Sequence, residues 1–479
     1  MQTRFIIRNT LLILFTLVFI SCEKELNLLP EQSLDSNIAF STAAAVEASL
    51  NGVYSEAQTL EVFGSGPQTL EDFMSDNTEF VGSFPTLQDI RNYVTVSTNA
   101  TVQVYWQVMY RMINGANTVI DRTDGVTDPA LTAAKKAEII GQAKFLRAIV
   151  YFQLVNQFAQ PFNRNNGSSP GVPLVLKGFT GTVEFPARAT VAEVHNQIIK
   201  DLTEAQAAVP ATYAGTLTRG RATKGACAGF LSRIYLYRGE FQKSADFAKQ
   251  VIDNKTTYAL ANNLSFYSQL TSEDVFVIIN TPTDNGRTGS GGWGSYHRPA
   301  AQGGRGDCAF TADLVSVFTA EAGDKRYTEL SDQVTAADNV SRRMTRKYPD
   351  AVTNADESPL MRVAEMHLNR AEALAELSGP NQESIDLVNP IRARAGLPAW
   401  TLAQFTTKQA LIDAILLERR KELCFEGHRR MDLLRKGKGL RSTGTTVPLA
   451  AFGADRTILP IPQREVDLNK SLVQNPGYL

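Results

Sequence analysis

Between Ala222 and Asp253, large and small apolar residues return every three or four positions on both sides of a single glycine. Leu231 and Tyr235 precede Gly239, and Phe241, Ala245 and Ala248 follow it. This period is helical, so the stretch predicts two antiparallel helices turning at Gly239. The small residues let the helices approach, and Tyr235 fills the remaining gap. A looser copy runs from Val363 to Ala395, with Asn369, Ala371, Ala373 and Leu377, a turn at Ser378-Gly379-Pro380, then Ile385, Val388 and Ile391. A third hairpin is read from Lys408 to Arg435. The copies do not abut in sequence, as repeats of a plain solenoid would.

The hairpin residues near 222–253, 363–395 and 408–435 fall where a tetratricopeptide repeat places its small and large side chains. Further helices are expected over Ala43–Leu60, Val102–Ile120 and Leu131–Phe158, the last stopping near Pro161. Another is expected over Val191–Val209, opened by Thr190 as N-cap and closed by Pro210. Val275–Asn280 reads as a strand, and β content elsewhere is expected to be minor. The fold class is therefore mostly α, with interrupted helical hairpins, long loops and minor β.

The 479 residues are 43% hydrophobic and 20% charged, an ordinary globular composition. A net charge of −1 argues against nucleic-acid binding, which needs a basic stripe against phosphates. Four cysteines in this length exclude a disulfide scaffold. The long apolar run lies at the N-terminus: Arg4 and Arg8, then Leu11–Ile20, then Ser21-Cys22. It is short for a membrane span and reads as a signal peptide over residues 1–21. The small residue before Cys22 resembles a bacterial lipobox, which makes Cys22 the site of lipidation. Residues 22–40 then read as a tether, and residues 41–479 as one domain. Glu23-Lys24-Glu25 resembles the acidic signal that sends Bacteroidota lipoproteins to the outer face of the outer membrane.

Two zones are rich in loops. Gly64–Asn99 carries Phe73, Phe80, Phe84 and Tyr93, and Thr281–Asp307 carries eight glycines between Asp284 and Gly306. Loops this long inside a domain are functional or disordered. Several short motifs carry no chemistry. Gly289, Gly291 and Gly294 spell a dinucleotide fingerprint with no helix expected behind them. Gly167–Gly171 spells a nucleophile elbow in a turn context. The four histidines, at 195, 297, 367 and 428, lack metal-ligand spacing, with 195, 367 and 428 on expected helices. Cys227, Cys308 and Cys424 have no C-x-x-C partner, and Arg305-Gly306-Asp307 reads as loop chemistry. No cofactor or metal is expected.

Four segments together resemble the SusD/RagB family of Bacteroidota nutrient-binding lipoproteins. They are Glu138–Pro173, Met366–Pro398, Glu418–Arg435 and Leu459–Tyr478. The resemblance implies a SusD-like fold and binding without catalysis. It also implies a SusC-like TonB-dependent transporter as partner and a glycan as ligand. Family members hold glycans with loop aromatics, whose flat faces meet the apolar faces of a pyranose. The expected ligand residues here are Trp293 and Tyr296, with His297, Arg298 and Arg305 as polar neighbours and Phe80 and Phe84 as a facing wall. The glycines around Trp293 are expected to leave its ring uncovered. Trp106 and Trp400 are assigned to packing. Glu418, Arg419, Arg420, Glu422 and Glu426 are read as an internal ion-pair network, the alternative being a docking face for the transporter. The competing functions are a peptide or other nutrient binder, a lipid-anchored glycosidase recognisable by two carboxylates in a cleft, and a pure scaffold.

Overall fold

The computed structural model describes residues 40–286, 291–442, 444 and 447–478. The leader, Cys22, the acidic signal and the tether up to residue 39 lie outside the described residues, as does Gly289. The helices that build the architecture are α1 (Ala43–Gln58), α2 (Gly66–Phe73), α3 (Ala100–Arg122), α4 (Ala133–Phe158), α5 (Val191–Ala208), α6 (Lys224–Arg238), α7 (Phe241–Asp253), the one-turn α8 (Trp293–His297), α9 (Val363–Ser378), α10 (Gln382–Arg394), α11 (Lys408–Leu423) and α12 (Arg429–Leu434).

Their ends follow from local chemistry. Thr190 caps α5 in a full capping box with Glu193, satisfying two N–H groups that the first helical turn leaves free. Gly239 ends α6 at φ 74, a left-handed conformation that costs glycine little. Across the α6–α7 turn, Ser232 and Ser244 each donate a hydroxyl to the other's carbonyl, at 3.0 and 2.9 Å. Only small side chains permit that approach. Tyr235 stacks on Phe247, centroids 5.6 Å apart.

The helices stack in series, α3 on α4, α4 on α5, α5 on α6, α6 on α7, and α7 on α9, which also meets α10 and α11. Copies separated in sequence are thus neighbours in space: α9 packs on α7 across the insertion of residues 254–362. A period reveals a repeat, but not which repeats touch. The third hairpin is uneven. After α11, Phe425 and Gly427 take positive φ, 64° and 75°, and break the chain before the six-residue α12. His428 therefore lies in the turn that opens α12, not on a helix as expected. Trp106 is buried against Phe158, and Trp400 packs on Phe405.

The strands form three antiparallel pairs, β1 (Thr78–Phe80) with β3 (Cys308–Phe310), β2 (Asp274–Ile278) with β6 (Ser358–Arg362), and β4 (Ser331–Thr335) with β5 (Ser341–Thr345). The strand expected over 275–280 is β2.

The charged run at the end of α11 turns inward. Glu418, Arg419, Arg420, Glu422 and Glu426 are all buried, which rules them out as a docking face. Arg362 lies between Glu426 (2.8 Å), Glu422 (3.1 Å) and Glu273 (3.1 Å). Arg394 bridges Glu422 and Glu273 at 2.7 and 3.2 Å, and Lys347 meets Glu426 at 2.6 Å. Arg326 reaches Glu422 as well, at 3.3 Å, so three carboxylates face four cations. Burial alone would raise the Glu422 carboxyl, but Arg394, Arg362, Arg326 and Lys347 outweigh it and hold it well below the usual range. The same balance, with Arg362 and Lys347, holds Glu426 at about 2.

Candidate functional site

The β1–β3 ladder joins the two loop zones. Thr78, Glu79 and Phe80 pair with Phe310, Ala309 and Cys308. Past β1 the ladder continues, Val81 donating to the Asp307 carbonyl at 2.9 Å. Phe84 and Arg305 consequently meet: the Arg305 guanidinium lies 4.1 Å from the Phe84 ring centroid and 4.8 Å from that of Tyr296. Arg305 also pairs with Asp307. Phe84 is 46% exposed, so its aromatic surface is partly open to solvent beside a cation.

The other expected ligand residues lie beneath this rim. Trp293 is 3% exposed, and the expectation of an uncovered ring is corrected. Its indole N–H donates to the Ser358 hydroxyl at 2.8 Å, and its ring packs on Tyr348 at 4.6 Å. The glycine beside it serves internal packing: a Cβ on Gly294 would collide with the Asp350 carbonyl. Tyr296 is buried edge-on to Phe73, at 6.2 Å. His297 is fully buried, its Nδ1 2.8 Å from the Trp293 carbonyl, and burial pushes its pKa down to about 4. Arg298 is buried too, bonded to the Thr345 carbonyl (2.9 Å) and Asp332 (3.0 Å). Phe80 is buried on Phe73 at 4.8 Å, which removes its side chain from a facing wall. These residues set the rim's shape: Arg305 and Asp307 donate their amides to the carbonyls of Ser295 and Tyr296 in α8. A one-turn helix therefore stands where only loop was expected, and it templates the segment that carries Arg305.

A cleft of about 560 Å³ opens where the second loop zone begins. Asn51, Tyr54 and Gln58 of α1 line it, with Arg221, Thr281 and Asp284. The Arg221 guanidinium stacks 4.3 Å over the Tyr54 ring and also reaches Asn51. The volume suits a small ligand, and the lining offers hydrogen-bond donors and acceptors around an aromatic floor. No sequence signal marked this cleft, because α1 and Arg221 converge only through the fold. Among the described residues, no three His, Cys, Asp or Glu side chains gather in a group that could hold a metal ion.

The SusD family model matches residues 331–478. A second model, described as starch-binding associating with outer membrane, matches residues 26–236. Between them these two SusD-type models match most of the chain, which is thus similar to the SusD/RagB family along most of its length. SusD-like protein P2 of Formosa agariphila is 27% identical over 92% of this chain and 93% of that relative. The starch-binding protein SusD of Bacteroides thetaiotaomicron is 26% identical over 82% of each chain. The fold agrees with the crystal structure of a SusD superfamily protein from Bacteroides thetaiotaomicron, with a TM-score of 0.82 at 24% identity, covering 91% of this chain and 100% of that one.

Proposed function

We propose that the protein captures oligosaccharide at the face where the two loop zones join and delivers it to a SusC-like TonB-dependent transporter. The observation that carries the reading is the open Phe84 ring flanked by the Arg305 guanidinium. A pyranose can lay an apolar face on such a ring while its hydroxyls accept hydrogen bonds from the cation. The Tyr54–Arg221 cleft repeats this pairing of ring and guanidinium at the start of the second loop zone. Trp293, Tyr296, His297, Arg298 and Phe80 act from below, fixing the loops. The likeness to a starch-binding protein supports a glycan over other nutrients.

The mechanism is binding rather than bond cleavage. Residues 1–21 are removed, Cys22 carries the lipid, residues 22–40 form the tether, and the domain from residue 41 faces the exterior. Calorimetric titration of the chain beginning after Cys22, against a panel of polysaccharides and peptides, tests the ligand class. Saturable binding of a glycan and of no peptide is expected. Peptide binding alone would overturn the proposal.

A further inference from the structure

Three of the sixteen large hydrophobic side chains exposed among the described residues, Val183, Phe185 and Leu468, line one groove of about 330 Å³, with Trp106, Tyr110, Pro173 and Val175 in its wall. Leu176, Phe179 and Val473, close by in sequence, are exposed as well. Phe179, Val183 and Phe185 are 60, 62 and 52% exposed. Soluble surfaces rarely concentrate apolar side chains in this way without a partner.

The backbone beside the groove is also unpartnered. From Gly181 to Phe185 the chain has no regular secondary structure, and its amides and carbonyls make no hydrogen bond to any described residue. The neighbours on either side are tied down: Phe179 donates its amide to Asn114, and the Pro186 carbonyl accepts from Asn469. A five-residue span held at both ends, with free amides and alternate apolar side chains, is a template for an added strand. The ionisable side chains lining the groove are Glu184 and Glu465. An anionic lipid surface would meet repulsion there, and an apolar segment with a basic side chain would be attracted.

We infer that this face docks a second protein, which lays an extended segment along Gly181–Phe185, inserts an apolar side chain into the groove and sets a Lys or Arg against Glu184 and Glu465. The site is separate from the glycan face and stands or falls without it.

The test places photoreactive p-benzoylphenylalanine at Phe185 in the full-length, membrane-anchored protein, with the exposed Val352, in the loop between β5 and β6, as control position. Irradiation of intact cells should give one protein adduct from position 185 and none from 352. Mass spectrometry of the adduct should place the cross-link in a segment carrying an apolar residue close to Lys or Arg. The double variant Glu184→Lys, Glu465→Lys should lower the adduct yield at least about tenfold with an unchanged unfolding midpoint. Reversing the partner's basic residue to Glu should restore it. Adducts only with lipid, only with a second copy of this chain, or with no partner at all would overturn the inference. So would an adduct indifferent to the charge reversal. Glycan titration of the same variants should be unchanged, which separates failure here from failure of the glycan reading.

Discussion

The segments Glu418–Glu426 and Leu176–Phe185 depart from the usual rule of burial in opposite directions. The first is rich in charge and lies inside, and the second is rich in apolar side chains and shows them to solvent. The difference lies in where each finds its partner. Every carboxylate of the first run meets a guanidinium or ammonium of the same chain, from Arg326, Lys347, Arg362, Arg392 or Arg394. The second has no such cover among the described residues. Polarity of a segment therefore does not by itself place it inside or out; complementarity does.

Breaking the first segment should have the largest effect. Arg362→Met leaves Glu273, Glu422 and Glu426 short of one shared cation. Removing one member of a buried ionic cluster costs about 3–5 kcal/mol, and urea unfolding should show a loss of that size. Trp293→Ala belongs to the same class, because its indole is buried and bonded to Ser358. A cavity of that size costs about 3 kcal/mol, so the variant should lose stability first, and any loss of ligand would follow from misplaced loops.

Acid should weaken the fold in two stages. His195 and His297 have pKa values lowered by burial to about 3 and about 4. Unfolding lets them take up protons near pH 6.5, so stability falls as pH drops from about 6.5 to 4. Glu422 and Glu426 are depressed in the folded state, so their contribution is present above about pH 4.3 and is lost as pH falls toward 2. Asp72 acts the other way. Burial raises it to about 8, outweighing its bond from the Gly427 amide. Its cost grows as pH rises from about 4 to 8. Asp72→Asn should therefore raise stability at pH 7.5 and leave it unchanged at pH 4, read by unfolding at both values. The smallest effect should come from the exposed segment: Phe185→Ser should leave the unfolding free energy within about 0.5 kcal/mol, since that residue is already 52% exposed.

Much of the helical frame was legible because its signals are local. Thr190 with Glu193 and the glycine at 239 mark ends by chemistry that acts over a few residues. The internal ion-pair network was legible in one half, since Glu418–Glu426 lie within nine consecutive residues. Its other half, Glu273, Arg326, Lys347 and Arg362, is scattered over ninety positions and has no common period. The aromatic loop residues were found by composition but misplaced in depth. Trp293 is covered because Ser358 and Tyr348, more than fifty residues later, fold over it, and no local pattern announces that. Phe84 and Arg305 stand at the rim because two three-residue strands pair across more than two hundred residues. The Tyr54–Arg221 cleft and the apolar groove arise in the same way, from surfaces that become neighbours only in the folded chain.

We propose that ligand meets the rim formed by Phe84 and Arg305 and not the buried Trp293. The direct test is calorimetric titration of Phe84→Ala and Arg305→Ala beside the parent chain, using whichever polysaccharide the parent binds. Each variant should bind at least about tenfold more weakly while its unfolding midpoint stays within a few degrees of the parent's. Undiminished glycan affinity in both variants would contradict the claim.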